Sequence, residues 1–323
     1  MNKSHNQCSP MVSLNEAVER FPETDRRAWK QLASVFPVRI SRSWMRRLSH
    51  PSDPLGLQVF PSGRELLPDA EDVPDPVGEE QRMPVPWVVQ KHPDRLLLLV
   101  TRRCHVHCRY CFRRDLEGAA DPTDEELEAA IDFARTSGAR EVILSGGDPL
   151  HVRPTKLAHI IDRLRPDIPM IRIHSRAPVT FPAAVTEELV GVLAARNPIW
   201  FVVHVNHADE LADDVVEGLR RLVDAGIPVL NQSVLLRGVN NDVDSLVRLV
   251  ERLVELRVQP YYLHHPDAVP GAGGFRVTPE EGLELHAALQ QRVSGIALPR
   301  YVIDPPDGTG KVAVAEHHAR SVR

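Results

Sequence analysis

The stretch Thr101-Arg-Arg-Cys104-His-Val-His-Cys108-Arg-Tyr-Cys111-Phe-Arg-Arg114 carries three cysteines spaced C-x3-C-x2-C, with no fourth cysteine nearby. Three thiolates can hold three irons of a [4Fe–4S] cluster, because cysteine is the usual cluster ligand. The fourth iron then has a position open to a small molecule. The competing reading is zinc, which prefers four closed ligands, often supplied as two separated pairs. Here His105 or His107 would have to complete the set, and no second cysteine pair follows. Cys8, the remaining cysteine, lies close to the amino terminus and is read as incidental. A structural disulfide has no support, because nothing in the chain suggests secretion.

Composition limits the other possibilities. The chain has 323 residues, long enough for a substantial core. Hydrophobic content of 42% and charged content of 26% are ordinary for a soluble protein. A net charge of −5 gives no support for a nucleic-acid surface. No apolar run approaches a bilayer span, so no membrane partner is expected. The amino terminus, Met-Asn-Lys-Ser-His-Asn, lacks a signal-peptide core. The expected location is the cytoplasm, whose reducing conditions suit an iron–sulfur cluster. Only five residues are lysine (Lys3, Lys30, Lys91, Lys156 and Lys311), which makes each one easy to weigh.

Hydrophobic patterning divides the chain into three parts. Residues 1–90 read as a helical extension followed by a proline-rich wrap, in which Pro54, Pro61, Pro68, Pro74, Pro76 and Pro84 break any long helix. From Arg95 onward, short β-branched or leucine-rich runs alternate with amphipathic stretches. The strand candidates are 96–101, 141–145, 170–174, 199–205, 229–235 and 260–264, with a late run at 301–304. Helices are expected at 124–136, 156–165, 187–196, 213–225, 243–256 and 279–293. Thr123 with Glu126, and Thr278 with Glu281 behind Pro279, are helix-start signatures. Repeated βα units imply parallel strands with helices outside. Six units are too few to close an eight-stranded barrel. The expectation is therefore an α/β fold, a partial (β/α)6 barrel over residues 91–305, with a segment at 306–323 closing the chain. Chemistry in such folds gathers at the carboxyl ends of the strands, and the cysteine loop follows the first of them.

Ser145-Gly146-Gly147-Asp148 ends the second strand, where two glycines let the backbone approach a ligand closely. Alone this is as readily a plain turn. Together with the C-x3-C-x2-C loop it is similar to the motif with which radical S-adenosylmethionine (SAM) enzymes hold the methionine amine. Residues 91–314 more specifically resemble the lysine 2,3-aminomutase family of those enzymes. The likeness rests on Cys108-Arg-Tyr-Cys-Phe-Arg-Arg114, Ser145-Gly-Gly-Asp148, Ile173-His-Ser-Arg-Ala-Pro178, His204-Val-Asn-His207 and Asn231-Gln-Ser-Val-Leu-Leu-Arg-Gly-Val-Asn240. Pro260-Tyr-Tyr-Leu263 and Pro51-Ser-Asp-Pro54 look closest to the branch that makes β-lysine for elongation factor P.

The resemblance implies three cofactors: the [4Fe–4S] cluster on Cys104, Cys108 and Cys111, SAM on its open iron, and pyridoxal 5′-phosphate (PLP). Asp304-Pro-Pro-Asp-Gly-Thr-Gly-Lys311 is similar to the family's PLP segment, although Pro306, Asp307 and Thr309 make it poorer in glycine. It makes Lys311 the Schiff-base residue, in a site expected to be desolvated, with Arg95 near the PLP phosphate. It places Ser145, Gly146, Gly147, Asp148, His204, Asn206 and Gln232 around SAM. Arg113 would hold the substrate carboxylate, while Asp267 and Asp304 would grip a distal ammonium. Two acids facing one ammonium select a cationic side chain, so the implied substrate is L-lysine, with ornithine and arginine also compatible in charge. The implied reaction is a 1,2-amino shift giving β-lysine. An electron donor such as flavodoxin or ferredoxin is implied too, and a homodimer is compatible. Taken residue by residue, blander readings stand beside these: a solvated lysine near the end of the chain, surface aspartates, a satisfied core histidine at His204. A binding module without turnover, holding a cluster or zinc, is the alternative for the whole chain.

Overall fold

Four leucines and a valine precede the cysteines because this strand is covered on both faces. Arg95–Thr101 forms β4 of the computed structural model, with Leu96, Leu98 and Val100 buried under the helix layer. The structure describes residues 11–22, 26–114 and 120–321, so Cys8 lies outside the described residues. Ahead of β4 come β1 (Met11–Val12) and β2 (Ile40–Ser41), a small antiparallel pair, and β3 (Val88–His92). After it follow β5 (Glu141–Gly146), β6 (Met170–Ser175), β7 (Ile199–His204), β8 (Val229–Val234), β9 (Gln259–His264), β10 (Arg300–Ile303) and β11 (Val312–Ala313). β3 to β11 form one sheet in chain order. β4 to β10 are parallel, while β3 and β11 are antiparallel edges. All seven expected strands are present. The two antiparallel edges were not expected from sequence, because Val88–His92 and Val312–Ala313 lack the apolar run that marks a strand buried on both sides.

Helices cross between successive strands. The crossover Asp124–Thr136 matches its expected bounds, and Thr123 and Glu126 complete its capping box. Thr278 accepts from the Glu281 amide at the start of Pro279–Gln290, with proline in the first turn. Side chains alternate along each strand. In β6, Ile171 and Ile173 are buried against the helices, whereas Arg172 and His174 face the other way. The same parity sends His204 of β7, Gln232 of β8 and His264 of β9 to that inner face.

The sheet curls. Seven strand intervals separate β3 from β10, roughly 34 Å if the sheet were flat. Yet Lys91 Nζ on β3 lies 3.1 Å from Asp304 Oδ1, just past β10. The edges have swung round to face each other across an inner lumen, and this is the expected partial barrel.

The amino-terminal region packs into the same core as the barrel. Its helices are Leu14–Arg20, Arg26–Val35 and Arg42–Arg47. Trp29 stacks on Phe60 with ring centres 4.6 Å apart, and Trp44 is fully buried. The proline-rich stretch forms short capped turns. Asp53 caps Pro54–Leu57, and Ser62 and Glu65 form a capping box on the 3₁₀ turn Gly63–Leu66. These turns deliver Gln58 and Glu65 to the cysteine loop.

Candidate active site

The cysteine loop has little regular structure of its own and is held from outside. The Arg109 amide donates to Gln58 O at 2.9 Å, and the His107 amide to Arg39 O at 3.0 Å. Glu65 sits between two arginines. It accepts from Arg109 Nε at 3.0 Å, from Arg109 Nη2, and from Arg114 Nη2 at 2.7 Å. Both guanidinium groups lie over the Phe36 ring, and the three charged side chains are 5% exposed or less. Removing a partner from such a buried set leaves uncompensated charge.

The three cysteines are not joined in a disulfide. Among the described residues, no three or more His, Cys, Asp or Glu close on a single metal ion. Tetrahedral zinc would draw its sulfurs to about 3.8 Å from one another. Of the two histidines zinc would need, His107 has its Nδ1 2.9 Å from Pro37 O, while His105 stacks on Phe181 and lies tilted against His151, its Nδ1 buried without a hydrogen-bond partner. The donor set that remains is three thiols, which suits a cluster better than zinc.

The turn after β5 docks on the root of that loop. The Gly147 amide donates to Thr101 O at 2.7 Å and the Asp148 amide to Arg103 O at 2.8 Å. Gly146 has φ of +124°, and a Cβ there would meet Thr101 O at 2.2 Å. A Cβ on Gly147 would meet Arg103 O at 2.4 Å. These glycines therefore allow backbone to pack on backbone, whatever ligand they also serve. Asp148 was expected to face an ammonium. Its buried carboxylate instead accepts from Leu150 N (3.0 Å), Ser175 Oγ (2.7 Å), Arg176 N (2.8 Å) and Ala177 N (2.8 Å). It fastens β5 to β6, and burial pushes its pKa up. With Asp148 so engaged, the backbone carbonyls of the turn and Ser145 Oγ are the groups left to receive an amine.

At the ends of β6 to β8 a buried network reaches the cysteines. His204 Nε2 lies 3.2 Å from Tyr110 Oη and 3.0 Å from Asn206 Oδ1. Asn206 Nδ2 donates to Tyr110 Oη and Gln58 Oε1, and its Oδ1 accepts from Val234 N. Gln232 pairs in register with His204 on the same inner face. Burial pushes His204 and His174 well below the usual histidine range, and His264 down to about 3, so the lumen is lined by neutral imidazoles. Arg176, outside the expected site set, completes the network. Its Nη1 donates to Cys108 Sγ at 2.7 Å and its Nη2 to Gln58 Oε1 at 2.6 Å. Tyr110 and Arg176 lie inside stretches that carry the resemblance, Cys108–Arg114 and Ile173–Pro178, but were given no role by it; Gln58 and Glu65 lie in no such stretch.

Across the lumen, Asp304 brings two lysines together. Lys91 Nζ is 3.1 Å from its Oδ1 and Lys311 Nζ is 3.4 Å from its Oδ2. Lys311 was expected in a desolvated site; instead its side chain is 36% exposed. The segment before it turns through Gly308 and Gly310, both at positive φ, and Gly310 lies against the His92 ring. Asp267 stands nearby. Burial and then the adjacent Asp304 push its carboxyl up to about 7. Arg113 projects from the cysteine loop, its Nη1 donating to Gly146 O at 3.0 Å and its Nε to Glu79 Oε2 at 2.7 Å. Arg95 does not join this group by direct contact. It occupies the amino end of β4, with Nη1 3.3 Å from Asp94. Arg95 does, however, pair across the sheet with His92, which with Arg82, Gln90 and Lys91 lines an open pocket of about 410 Å³; burial and then Arg95 push the His92 imidazole down, so the cations there are Arg82 and Lys91.

Residues 98–250 match the radical SAM superfamily. The chain is 41% identical over 276 residues to an L-lysine 2,3-aminomutase of Clostridium subterminale, covering 84% of this chain and 66% of that protein. It is 33% identical over 323 aligned positions to a putative L-lysine 2,3-aminomutase of Aquifex aeolicus, covering 98% of this chain and 87% of that one. The chain belongs to the lysine 2,3-aminomutase family. It spans about two thirds of the Clostridium aminomutase's length. Among solved structures, SuiB of Streptococcus suis bound to S-adenosylmethionine superposes with a TM-score of 0.51 at 15% identity, over 66% of this chain and 51% of that one, which supports the radical SAM fold. Among the described residues, no helix is long and apolar enough to cross a membrane.

The anchor described first is testable. Replacing Glu65 by Ala strands two buried guanidinium groups and should cost about 3–5 kcal/mol. Urea unfolding of the purified protein checks the cost, and iron retained after anaerobic reconstitution should fall with it. Unchanged stability and iron content would show that the loop does not depend on Glu65.

Proposed function

We propose that this aminomutase-family chain converts L-lysine to β-lysine by a 1,2-amino shift, with Cys104, Cys108 and Cys111 holding a [4Fe–4S] cluster and Lys311 carrying PLP. The observation that carries the reading is the convergence of Lys311, Asp304, Asp267 and Arg113 on one lumen beside the cysteine loop. When bound, the cluster with SAM supplies a hydrogen-abstracting radical, and PLP supplies the π system through which nitrogen migrates.

The chain's own residues bind, orient and enclose. Arg113 offers a planar fork to the substrate carboxylate and stands two residues from Cys111, so the carbon next to the reacting amine lies toward the cluster. At the far end, Asp304 already accepts two ammonium groups. When Lys311 turns to the cofactor, the substrate's distal ammonium takes its place on Asp304, and Asp267 becomes the second acid. The open pocket with Arg82, Lys91 and a neutral His92 on its wall suits the cofactor phosphate, with Arg95 beside it as the cross-strand partner of His92. Neutral His174, His204 and His264 add no competing cation around the substrate. The backbone carbonyls of residues 145–148 serve the methionine amine of SAM, with His204 and Gln232 beside it; Asn206 supports them from within its network. A donor such as flavodoxin or ferredoxin would reduce the cluster. The Pro260–Leu263 and Pro51–Pro54 stretches favour elongation factor P modification as the fate of the product.

Two measurements test this. Anaerobic incubation of reconstituted protein with lysine, ornithine, arginine and glutamate, followed by mass spectrometry and chiral chromatography, should give β-lysine from lysine and nothing from glutamate. Turnover of glutamate, or of none of the four, would overturn the reading. The raised Asp267 carboxyl predicts a pH effect with a definite sign. Its charge is lost as pH falls through about 7, and bound ammonium favours the charged form. KM for lysine should therefore rise as pH drops from about 8 to about 6. In Asp267→Asn it should be high and insensitive to pH. A KM flat with pH in the parent protein would contradict the assignment.

A further inference from the structure

Arg113 is not left free by the fold. Glu79, on the proline-rich wrap, grips one edge of its guanidinium bidentately: Nε donates to Oε2 at 2.7 Å and Nη2 to Oε1 at 2.5 Å. Both side chains are 13% exposed. On the other side, Nη1 donates to Gly146 O at 3.0 Å and lies 3.4 Å from Ser145 Oγ. A guanidinium has five N–H groups. Glu79 takes the Nε–H and one N–H of Nη2, Nη1 donates to Gly146 O and, at 3.4 Å, to Ser145 Oγ, and one N–H of Nη2 has no partner among these four bonds. The end-on edge between Nη1 and Nη2 is the edge that Glu79 does not occupy, and the long Ser145 contact is the one a carboxylate would displace there.

Glu79 is itself held. Its amide and that of Glu80 donate to the two oxygens of Asp75 at 2.9 and 2.8 Å. The same turn reaches the Lys311 segment. Gly78 lies against Pro306, where a Cβ would come within 2.4 Å of the carbonyl oxygen, and Arg82 Nη2 donates to Asp307 O at 3.0 Å. Residues 75–82 therefore bridge the arginine of the cysteine loop and the loop that ends at Lys311.

We propose that Glu79 is a positioning residue for substrate recognition: by clamping the Nε edge of Arg113 it directs the end-on edge toward the carboxylate of the incoming amino acid, and the wrap that carries it sets the span between the carboxylate site and Lys311. This rests on the reading of Arg113 as the carboxylate site. Glu79 makes no covalent step; it removes the rotational freedom that an arginine loses on binding a carboxylate.

The test uses reconstituted holoenzyme of the parent, Glu79→Gln, Glu79→Ala and Arg113→Ala, with L-lysine as substrate and L-lysinamide as a competing ligand that lacks the carboxylate. Iron content and lysine-independent SAM cleavage confirm that each variant is folded and loaded. Glu79→Ala should raise KM for lysine by about tenfold or more with kcat little changed, the pattern of lost binding, and Glu79→Gln should fall between. The inhibition constant of lysinamide should hardly move. A KM that falls, or a loss confined to kcat, would overturn the proposal. So would Glu79 variants that match the parent while Arg113→Ala weakens lysine and spares lysinamide; that outcome keeps the carboxylate site and discards Glu79. If Arg113→Ala also leaves the two ligands equally bound, the carboxylate assignment fails, and the proposal with it.

Discussion

A loop with three reactive sulfurs and almost no backbone ladder cannot hold its own shape, and the buried Glu65 between Arg109 and Arg114 supplies the missing constraint. Both arginines belong to the cysteine motif, and Glu65 belongs to the wrap. The amino-terminal region is therefore part of the site's framework, joined to the barrel through one continuous core. Gln58 makes a second tie, from the wrap to Arg176, Asn206 and Glu210, and Arg176 in turn touches Cys108. Two polar side chains from a proline-rich segment thus fix the geometry of the loop on which the chemistry turns.

The other constraint is charge. The lumen gathers Arg113, Lys91 and Lys311 against Glu79, Asp304 and Asp267, while its histidines stay neutral. Each cation has an acid beside it, so on the proposed reading a zwitterionic substrate with a second ammonium would enter by exchange, its carboxylate meeting the edge of Arg113 that Glu79 does not occupy and its distal ammonium replacing Lys311 on Asp304. A neutral or acidic side chain offers nothing to that exchange, which is the physical basis for preferring a diamino acid.

Much of this was legible in the sequence, for reasons that can be named. The seven parallel strands were visible because Leu96–Val100, Val142–Leu144 and Ile199–Val203 are apolar on both faces. The three cysteines were visible by spacing, and the Lys311 segment by resemblance. What escaped was long-range pairing. Nothing near Glu79 or Glu65 announces an arginine partner 34 or 49 residues away. Asp148 was read as a ligand because it follows two glycines, yet its oxygens are taken by amides at the end of β6, which only the folded sheet brings to it. Arg95 is placed near the cofactor phosphate by resemblance alone; the antiparallel pairing of β3 with β4 sets it opposite His92, one residue from Lys91, a neighbourhood that only the folded sheet creates.

Asp304 touches both Lys91 and Lys311, and this gives the sharpest test of the whole account. Protein loaded with PLP should be reduced with borohydride, digested and mapped by mass spectrometry. A pyridoxyl adduct is expected on the peptide containing Lys311 and none on Lys91. Label on Lys91, or protein that takes up no pyridoxal phosphate, would contradict it.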